Sequence, residues 1–500
     1  MNVNIKFRDY SYALIEAENS TLMELRNYFS FEVEGARFNP KFRYGAWDGR
    51  IRLLSNEGTL PIGLVDTLVR YCQNNDLTVT IDEDFKKSNE ISREDFDKWL
   101  DNLEIYSGDQ RIKPHWYQAD SVFTAINSQR RTLNLPTSAG KSLISALINR
   151  WYMENYDGKI LVIVPTTALV QQMIDDYADY RIIPRAACLG IMSGTRKNSD
   201  ALIYVSTWQS ACKMDSAWFS QFGLVNVDEC HLATGKEINN IVTRLGHCRF
   251  KFGMSGSLKD GNTNIMQYIG MFGDIFRPVS TKTLMDEGQV TELEINSVFL
   301  RYPDEETILY KGVAYAEEIK VITKHTKRNA WICKLALKLA RDKNENVLVM
   351  FKNVKHGKML YEALVAKYGD KVHYVSGETK TDDRVKLKGD AENEDGIIIV
   401  ASYGVFSTGI SIKKLHHIIF AHPVKSKVIV LQSLGRVLRK HQSKLKAKLW
   451  DIIDDFCVKP KSANAKKRYT HQNYAFKHGL ERIARYNAEQ FTYKTAEVTL

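Results

Sequence analysis

The spacing of apolar positions changes along the chain and divides it into regions. Residues 1 to about 105 mix alternating runs such as Asn2 to Phe7, the period of a strand, with helical patterns such as Thr21 to Tyr28. They predict a small α+β domain. From about Pro114 another order repeats: an apolar run, a Gly-rich or polar turn, then an amphipathic helix. Leu133 to Leu135 precedes a helical stretch over 141–155, and Ile160 to Val164 precedes one over 168–179. That alternation predicts parallel βαβ units. Further strands are predicted at Leu202 to Val205, Leu224 to Val227 and Phe250 to Met254, each ending where a polar motif begins. Ligand sites are expected at such strand ends. A second series starts near Glu294 and includes Val347 to Phe351, Val372 to Val375, Ile397 to Ala401 and His416 to Phe420. Two similar sheets in tandem follow, joined near 277–295 without a Gly/Ser-rich linker.

The expected organisation is a small α+β domain over 1–105, parallel-sheet domains over 112–288 and 289–455, and a basic helical tail over 456–500. A chain of 500 residues is too long for one core. With 44% hydrophobic and 26% charged residues it has the content of an ordinary folded protein. The formal charge of +11 favours an anionic partner. Its distribution says more: residues 459–500 hold nine basic against three acidic residues, a net +6 of the chain's +11. The seven cysteines are scattered and never form a C-x-x-C pair, so neither a disulfide framework nor a zinc knuckle is indicated. No apolar run reaches the length of a membrane span, and a cytoplasmic protein without a membrane partner is expected.

The chemistry begins at Leu135-Pro136-Thr137-Ser138-Ala139-Gly140-Lys141-Ser142. A strand ending in a loop that opens a helix at Gly-Lys-Ser aims backbone N–H groups at phosphate oxygens. Lys141 would reach the β and γ phosphates of a nucleoside triphosphate, and Ser142 would ligate Mg²⁺. The strict pattern wants glycine where this chain has Leu135, whereas Gly140, at the closest approach to phosphate, is present. The bland alternative is a chance Gly-Lys-Ser, and the next element argues against it. Val225-Asn226-Val227 ends in Asp228-Glu229-Cys230-His231, which puts two carboxylates at another strand's carboxyl edge. Asp228 can hold Mg²⁺, and Glu229 can orient and deprotonate the attacking water.

With these residues the chain resembles the superfamily two helicases and translocases over about 112–455. Asp228 to His231 is similar to that superfamily's second motif. Tyr117-Gln118 resembles the adenine-reading glutamine motif, Pro165-Thr166-Thr167-Ala168-Leu169 motif Ia, and Ser206-Thr207-Trp208-Gln209 motif Ib. Ser255-Gly256-Ser257 resembles the box that couples hydrolysis to movement, with His231 beside it in that role. In the second sheet Ser407-Thr408-Gly409-Ile410 looks like motif V, and Gln432-Ser433-Leu434-Gly435-Arg436-Val437-Leu438-Arg439 like motif VI. The motif VI spacing puts Gln432, Arg436 and Arg439 on one helical face, where two guanidiniums can stabilise charge on a γ-phosphate. A solvated basic helix is the bland alternative. The resemblance implies two tandem RecA-like domains, with Gly409, Arg436 and Arg439 joining the ATP site. Leu133 to Ser142, 228–236, Ala401 to Gly409, 435–441 and Arg37 to Leu54 are together similar to the phage recombination helicases of the UvsW type. That likeness implies an ATP-dependent helicase that remodels branched DNA: Holliday junction migration, fork regression and R-loop removal. A double-strand translocase, a restriction-type motor subunit, an RNA helicase and a scaffold with a dead ATPase are the alternatives. Implied partners are branched DNA, an RNA–DNA hybrid and a single-strand-binding protein, with the motor a monomer.

A motor holds its track by the backbone, so small hydroxyls and N–H donors suit it. Thr166, Thr167, Ser206 and Thr207 fit on the first sheet, and Phe351, Lys352, Ser376 and Gly377 on the second; the alternative for each is an ordinary turn or cap. Arg37 to Arg52 interleaves five basic and four aromatic side chains. It reads either as a DNA-contacting surface using Arg43 and Arg50, or as a hairpin whose aromatics form the small domain's core. The helical run His471 to Tyr486 reads as a DNA-docking or a plain solvated helix. His416-His417 and His231 are not expected to bind metal.

Overall fold

The computed structural model describes residues 2–33, 35–85, 90–192, 199–231, 236–256, 258, 262–379, 381–404, 412–425, 446–460 and 469–500. Ser257, Gly409, Gln432, Arg436 and Arg439 lie outside the described residues. The chain divides into two units, one of Met1–Leu135 and Ala139–Pro278 and the other of Pro136–Ser138 and Val279–Leu500.

In the first unit the N-terminal region forms a four-stranded sheet, in the order Thr59–Pro61, Tyr12–Glu16, Asn2–Phe7 and Thr78–Ile81. Asn2–Phe7 alternates buried and exposed side chains, as its period predicts. Val3, Ile5, Ala13 and Ile15 pack against Leu25 and Leu68 of the helices Asn19–Tyr28 and Val65–Asn74. The α+β expectation holds for this region. It is also fastened to the sheet that follows. Tyr10 N donates to Gly246 O, Arg130 donates to Tyr10 O at 2.6 Å, and Ser11 Oγ donates to Val242 O at 3.1 Å.

The larger sheet of this unit has seven strands in the order Cys188–Ile191, Ile203–Thr207, Lys159–Val164, Phe222–Val227, Phe250–Ser255, Arg130–Asn134 and Ile275–Phe276. Every pairing is parallel. Apolar runs covered on both faces suit that arrangement, and in Lys159–Val164 all five residues after the lysine are buried. The strand order places Phe250–Ser255 between the strand that feeds the phosphate loop and the strand that carries Asp228.

The second unit repeats the plan, all parallel, in the order Val372–Val375, Ile398–Ser402, Val347–Phe351, His417–Phe420, Lys446–Asp455, Glu292–Arg301 and Tyr493–Thr499. The two parallel sheets in tandem are those that the pattern predicts, and they are the RecA-like domains that the resemblance implies.

The tail departs from the expectation of a basic helical segment. Its helix forms, as Tyr474–Ala488, but it packs on Lys446–Asp455 with Phe476, Arg482 and Tyr486 buried. Arg482 makes a forked ion pair with Asp451, 2.9 and 3.0 Å from Nε, and Tyr486 OH donates to Asp451 at 2.9 Å. The chain then closes the sheet with Tyr493–Thr499. One basic residue that marked the segment as solvated is therefore neutralised inside the fold, because an internal carboxylate 31 residues away supplies the counter-charge.

Candidate nucleotide and nucleic-acid site

The phosphate loop leaves the strand Arg130–Asn134 at Leu135. Leu135 is fully buried and its N–H donates to Ser255 O at 2.8 Å, so it prolongs the strand. Core packing thus occupies the position where the strict pattern has glycine. Gly140 caps the helix Lys141–Asn155 with φ +76°, a left-handed conformation that favours glycine. A Cβ there would meet Gln118 Nε2 at 2.2 Å. That amide donates to Ala139 O at 2.9 Å, while Gln118 Oε1 accepts from His115 N at 2.8 Å. The glutamine of the adenine motif therefore closes its own helix start and braces the loop.

Asp228 and Glu229 stand at the carboxyl end of Phe222–Val227. Asp228 N continues the ladder to Ile163 O at 2.9 Å. Asp228 Oδ1 is buried without a hydrogen-bond partner among the described residues. Burial, and then the Glu229 carboxylate, push its acid up to about 6. A buried oxygen without a donor is suited to a cation, and Ser142 supplies a second oxygen ligand of the right kind. The pair fits Mg²⁺. Glu229 has φ +48°, an uncommon conformation for a residue with a Cβ and one that clusters at functional sites.

The Glu229 carboxylate lies near a lysine and a histidine. Oε1 lies 3.7 Å from Lys141 Nζ, and Oε2 lies 3.2 Å from His231 Nδ1. The same imidazole nitrogen is 3.0 Å from Ser255 Oγ, and His231 O accepts from Tyr268 OH at 3.0 Å. Ion-pair distances from Lys141 to Glu229 and from Glu229 to His231, and the contact of His231 with Ser255, thus line up polar groups from the loop lysine to the end of the intervening strand. That alignment requires the observed strand order, since Ser255 reaches Leu135 with its carbonyl and His231 with its hydroxyl.

The expected track contacts divide. Thr166 precedes the helix Thr167–Asp179 with its Oγ1 buried and without a partner among the described residues, and Thr167 is exposed. Ser206 is fully buried and donates to Thr207 O, while Thr207 Oγ1 caps its own helix by accepting from Ser210 N at 3.3 Å. Thr207 thus makes the helix cap, and Ser206 is turned inward. Phe351 is a correction: it is fully buried and stacks on Tyr374 at 5.4 Å, so it belongs to the core. Lys352 and Gly377 beside it are exposed, and Ser376 is buried with its oxygen accepting from Glu378 N at 3.4 Å.

The basic and aromatic stretch does not form the small domain's core. Phe38 is 66%, Phe42 39% and Tyr44 85% exposed, beside exposed Arg37, Lys41 and Arg43. Trp47 is half-buried, its Nε1 donating to Arg50 O at 2.8 Å. Arg50 is engaged internally, donating to Ser30 Oγ at 3.0 Å and lying 3.5 Å from Glu32. Of the two arginines singled out, Arg43 faces solvent and Arg50 holds the hairpin of Ser30–Glu32 and Arg50–Arg52 together.

Sequence spacing missed Tyr180, whose phenol lies 2.7 Å from Ser142 Oγ, and Asn149, which accepts from Asn226 Nδ2 at 2.6 Å. Neither sits in a motif. Among the described residues no group of His, Cys, Asp and Glu makes a further metal cluster, and no helix is long and apolar enough to cross a membrane.

Residues 2–82 match the family model described as the N-terminal part of DNA helicase UvsW, 85–260 that of the type III restriction enzyme res subunit, and 327–441 the helicase conserved C-terminal domain. The ATP-dependent DNA helicase uvsW of Enterobacteria phage T4 is 58% identical over 504 residues, covering 100% of both chains. The probable helicase D10 of Escherichia phage T5 is 26% identical over 53% of this chain and 56% of its own. The crystal structure of T4 UvsW aligns over 100% of both chains at TM-score 0.54 and 56% identity. A fragment of a putative HsdR subunit of a type I restriction enzyme from Vibrio vulnificus aligns over 86% of this chain and 74% of that chain at TM-score 0.57 and 17% identity, a likeness of fold alone. The polar groups lined up from Lys141 to Ser255 and a likeness to a helicase over the full length lead to one conclusion: this chain belongs to the UvsW family of ATP-dependent DNA helicases, within superfamily two.

Proposed function

We propose that this helicase remodels branched DNA, driving Holliday junction migration, fork regression and the removal of R-loops in recombination, repair and replication. The observation that carries the branch preference is the exposed face of Phe38, Phe42 and Tyr44 set among Arg37, Lys41 and Arg43. Cations meet phosphates and aromatic faces meet unstacked bases, which are abundant where strands part. The full-length likeness to T4 UvsW supports the same reading, because it includes this N-terminal region.

In the motor itself, Lys141 and the loop N–H groups bind the β and γ phosphates, and Gln118 braces the loop from behind. Ser142 and Asp228 would hold Mg²⁺. When bound, that ion neutralises phosphate charge and draws electron density toward the leaving oxygen. Glu229 orients the attacking water and accepts its proton. Lys141 lies 3.7 Å from Glu229 here, so binding of phosphate by the ammonium frees the carboxylate for the water. His231 then relays the state of Glu229 to Ser255. Arg436, Arg439, Gln432 and Gly409 would complete the ATP site, with Ser257 beside Ser255 in coupling. Thr166, Thr167, Lys352 and Gly377 hold the track by its backbone. The working species is a monomer, and a single-strand-binding protein is a fitting partner for the displaced strand.

The test is ATP-dependent unwinding compared on a Holliday junction, a replication fork, an R-loop and a plain tailed duplex. Faster turnover on the three branched substrates is expected. Equal rates on all four would remove the branch preference and leave a general DNA helicase, whereas ATP-driven movement on duplex without strand separation would favour the translocase reading.

A further inference from the structure

The hydroxyl of Ser142 has a partner that no motif supplies. Tyr180 OH lies 2.7 Å from Ser142 Oγ, and the two residues are 38 apart in the chain. Tyr180 is the C-cap of the helix Thr167–Asp179. Three residues earlier, Tyr177 OH lies 2.5 Å from Ser145 Oγ and accepts from Asn149 Nδ2 at 3.2 Å. Asn149 Oδ1 in turn accepts from Asn226, two residues before Asp228 on the same chain run. Two phenols thus tie one helix to the helix that opens at the phosphate loop.

Tyr180 is itself held from the other side. Its carbonyl accepts from Tyr106 N at 3.2 Å, and Asp179 Oδ1 accepts from Gly108 N at 3.0 Å. Arg181 covers the Tyr106 ring at 4.3 Å and donates to Gly108 O at 3.0 Å. The hairpin of Ile105–Ser107 and Gln110–Ile112 therefore clamps the end of the helix where the phenol projects. A side chain fixed this firmly can fix another.

A serine hydroxyl carries one proton and two lone pairs, and it rotates freely when nothing holds it. Either oxygen can donate in the Ser142–Tyr180 bond, and once a cation takes one serine lone pair the phenol can donate to the other, which stops the rotation. The serine proton is then left for an anionic oxygen. We propose that Tyr180 is a positioning residue that orients the Ser142 hydroxyl for Mg²⁺. The inference rests on the reading of Ser142 as a magnesium ligand given above. Tyr177 makes the same kind of bond to Ser145, which has no role toward the ion, and so provides an internal control.

The experiment titrates Mg²⁺ against binding of a fluorescent ADP analogue to the full chain, in the unaltered protein and in Y180F, Y177F and S142A. Thermal unfolding without nucleotide is recorded for each. One neutral hydrogen bond contributes about 1 kcal/mol, so Y180F should need roughly fivefold more Mg²⁺ for half-maximal binding. Binding without Mg²⁺ should be unchanged in Y180F and its unfolding midpoint should fall no further than that of Y177F, whose phenol makes two hydrogen bonds; Y177F should titrate as the unaltered protein does, and S142A should shift at least as far as Y180F. An unchanged Mg²⁺ midpoint in Y180F beside a shifted one in S142A would overturn the positioning role and spare the Ser142 reading. An unchanged midpoint in S142A would overturn that reading, and the positioning role with it. Equal weakening with and without Mg²⁺ in Y180F would make Tyr180 a packing residue and also overturn the proposal.

Discussion

His231 Nδ1 lies 3.0 Å from Ser255 Oγ, so the end of the Asp-Glu motif touches the end of the strand that separates that motif from the phosphate loop. A signal that depends on Glu229 has two side chains, His231 and Ser255, to cross before it reaches the backbone of the loop strand. Ser255→Ala should therefore leave nucleotide-dependent phosphate release largely intact while unwinding falls by an order of magnitude. ATPase and strand-separation rates measured on one substrate would show it; an equal loss of both would place Ser255 in hydrolysis instead.

Glu229→Gln keeps the size of the side chain and removes the carboxylate proposed as the base. Positioned proton transfer contributes about 10²–10⁴-fold, so phosphate release stimulated by DNA should fall within that range while ADP and ATP still bind. Lys141→Ala should lose binding as well. Stopped phosphate release with retained binding separates the two variants.

Lys251 is fully buried and donates to Ser11 Oγ at 2.7 Å and to Val242 O at 3.2 Å. Burial, and then Arg130, bring its amine down to about 7. The unfolded chain holds that proton up to about pH 10.4, so between pH 7 and 10 it binds more protons than the folded one, and stability rises with pH across that window. Lys251→Met removes the titration. Its advantage over the unaltered protein in unfolding midpoint should be largest near pH 7 and shrink toward pH 9.5. A difference that is constant with pH would contradict this.

Arg482 and Asp451 are both almost completely shielded from solvent. Removing one partner leaves the other charge buried and unpaired, which costs about 3–5 kcal/mol. Asp451→Ala should lower the thermal midpoint of the second unit, and a deletion of 459–500 should unfold that unit rather than subtract a DNA-binding arm. Far-ultraviolet melting of the two variants checks both statements.

Arg43→Ala and Tyr44→Ala alter side chains on the exposed face and leave the small domain's core untouched. Both should weaken fork binding several-fold with unchanged unfolding midpoints and with ATPase on single strands intact. Arg50→Ala should behave differently, lowering stability, because its guanidinium pairs with Ser30 and Glu32. Fork affinity by fluorescence anisotropy, read beside a thermal melt, distinguishes the two kinds of arginine.

Much of the motor can be read from the sequence because its chemistry is local. A loop that cradles phosphate needs Gly140, Lys141 and Ser142 in consecutive positions at a helix start, and two carboxylates at a strand end must be neighbours in the chain. The apolar runs placed most of the named strands within two residues, since a strand buried on both faces has to be apolar throughout, but the strand expected from Leu133 begins three residues earlier, at Arg130, where its first two residues are charged. The tertiary structure decided what depends on partners distant in sequence. Strand order brought Ser255 between Leu135 and His231, and helix packing brought Tyr180 to Ser142. Burial turned Phe351 and Ser206 inward and enclosed Arg482 with Asp451, although a charge count assigns that arginine to solvent. Period and composition record which residues prefer the interior, whereas pairing across the fold follows from which elements lie side by side, and no local pattern contains that.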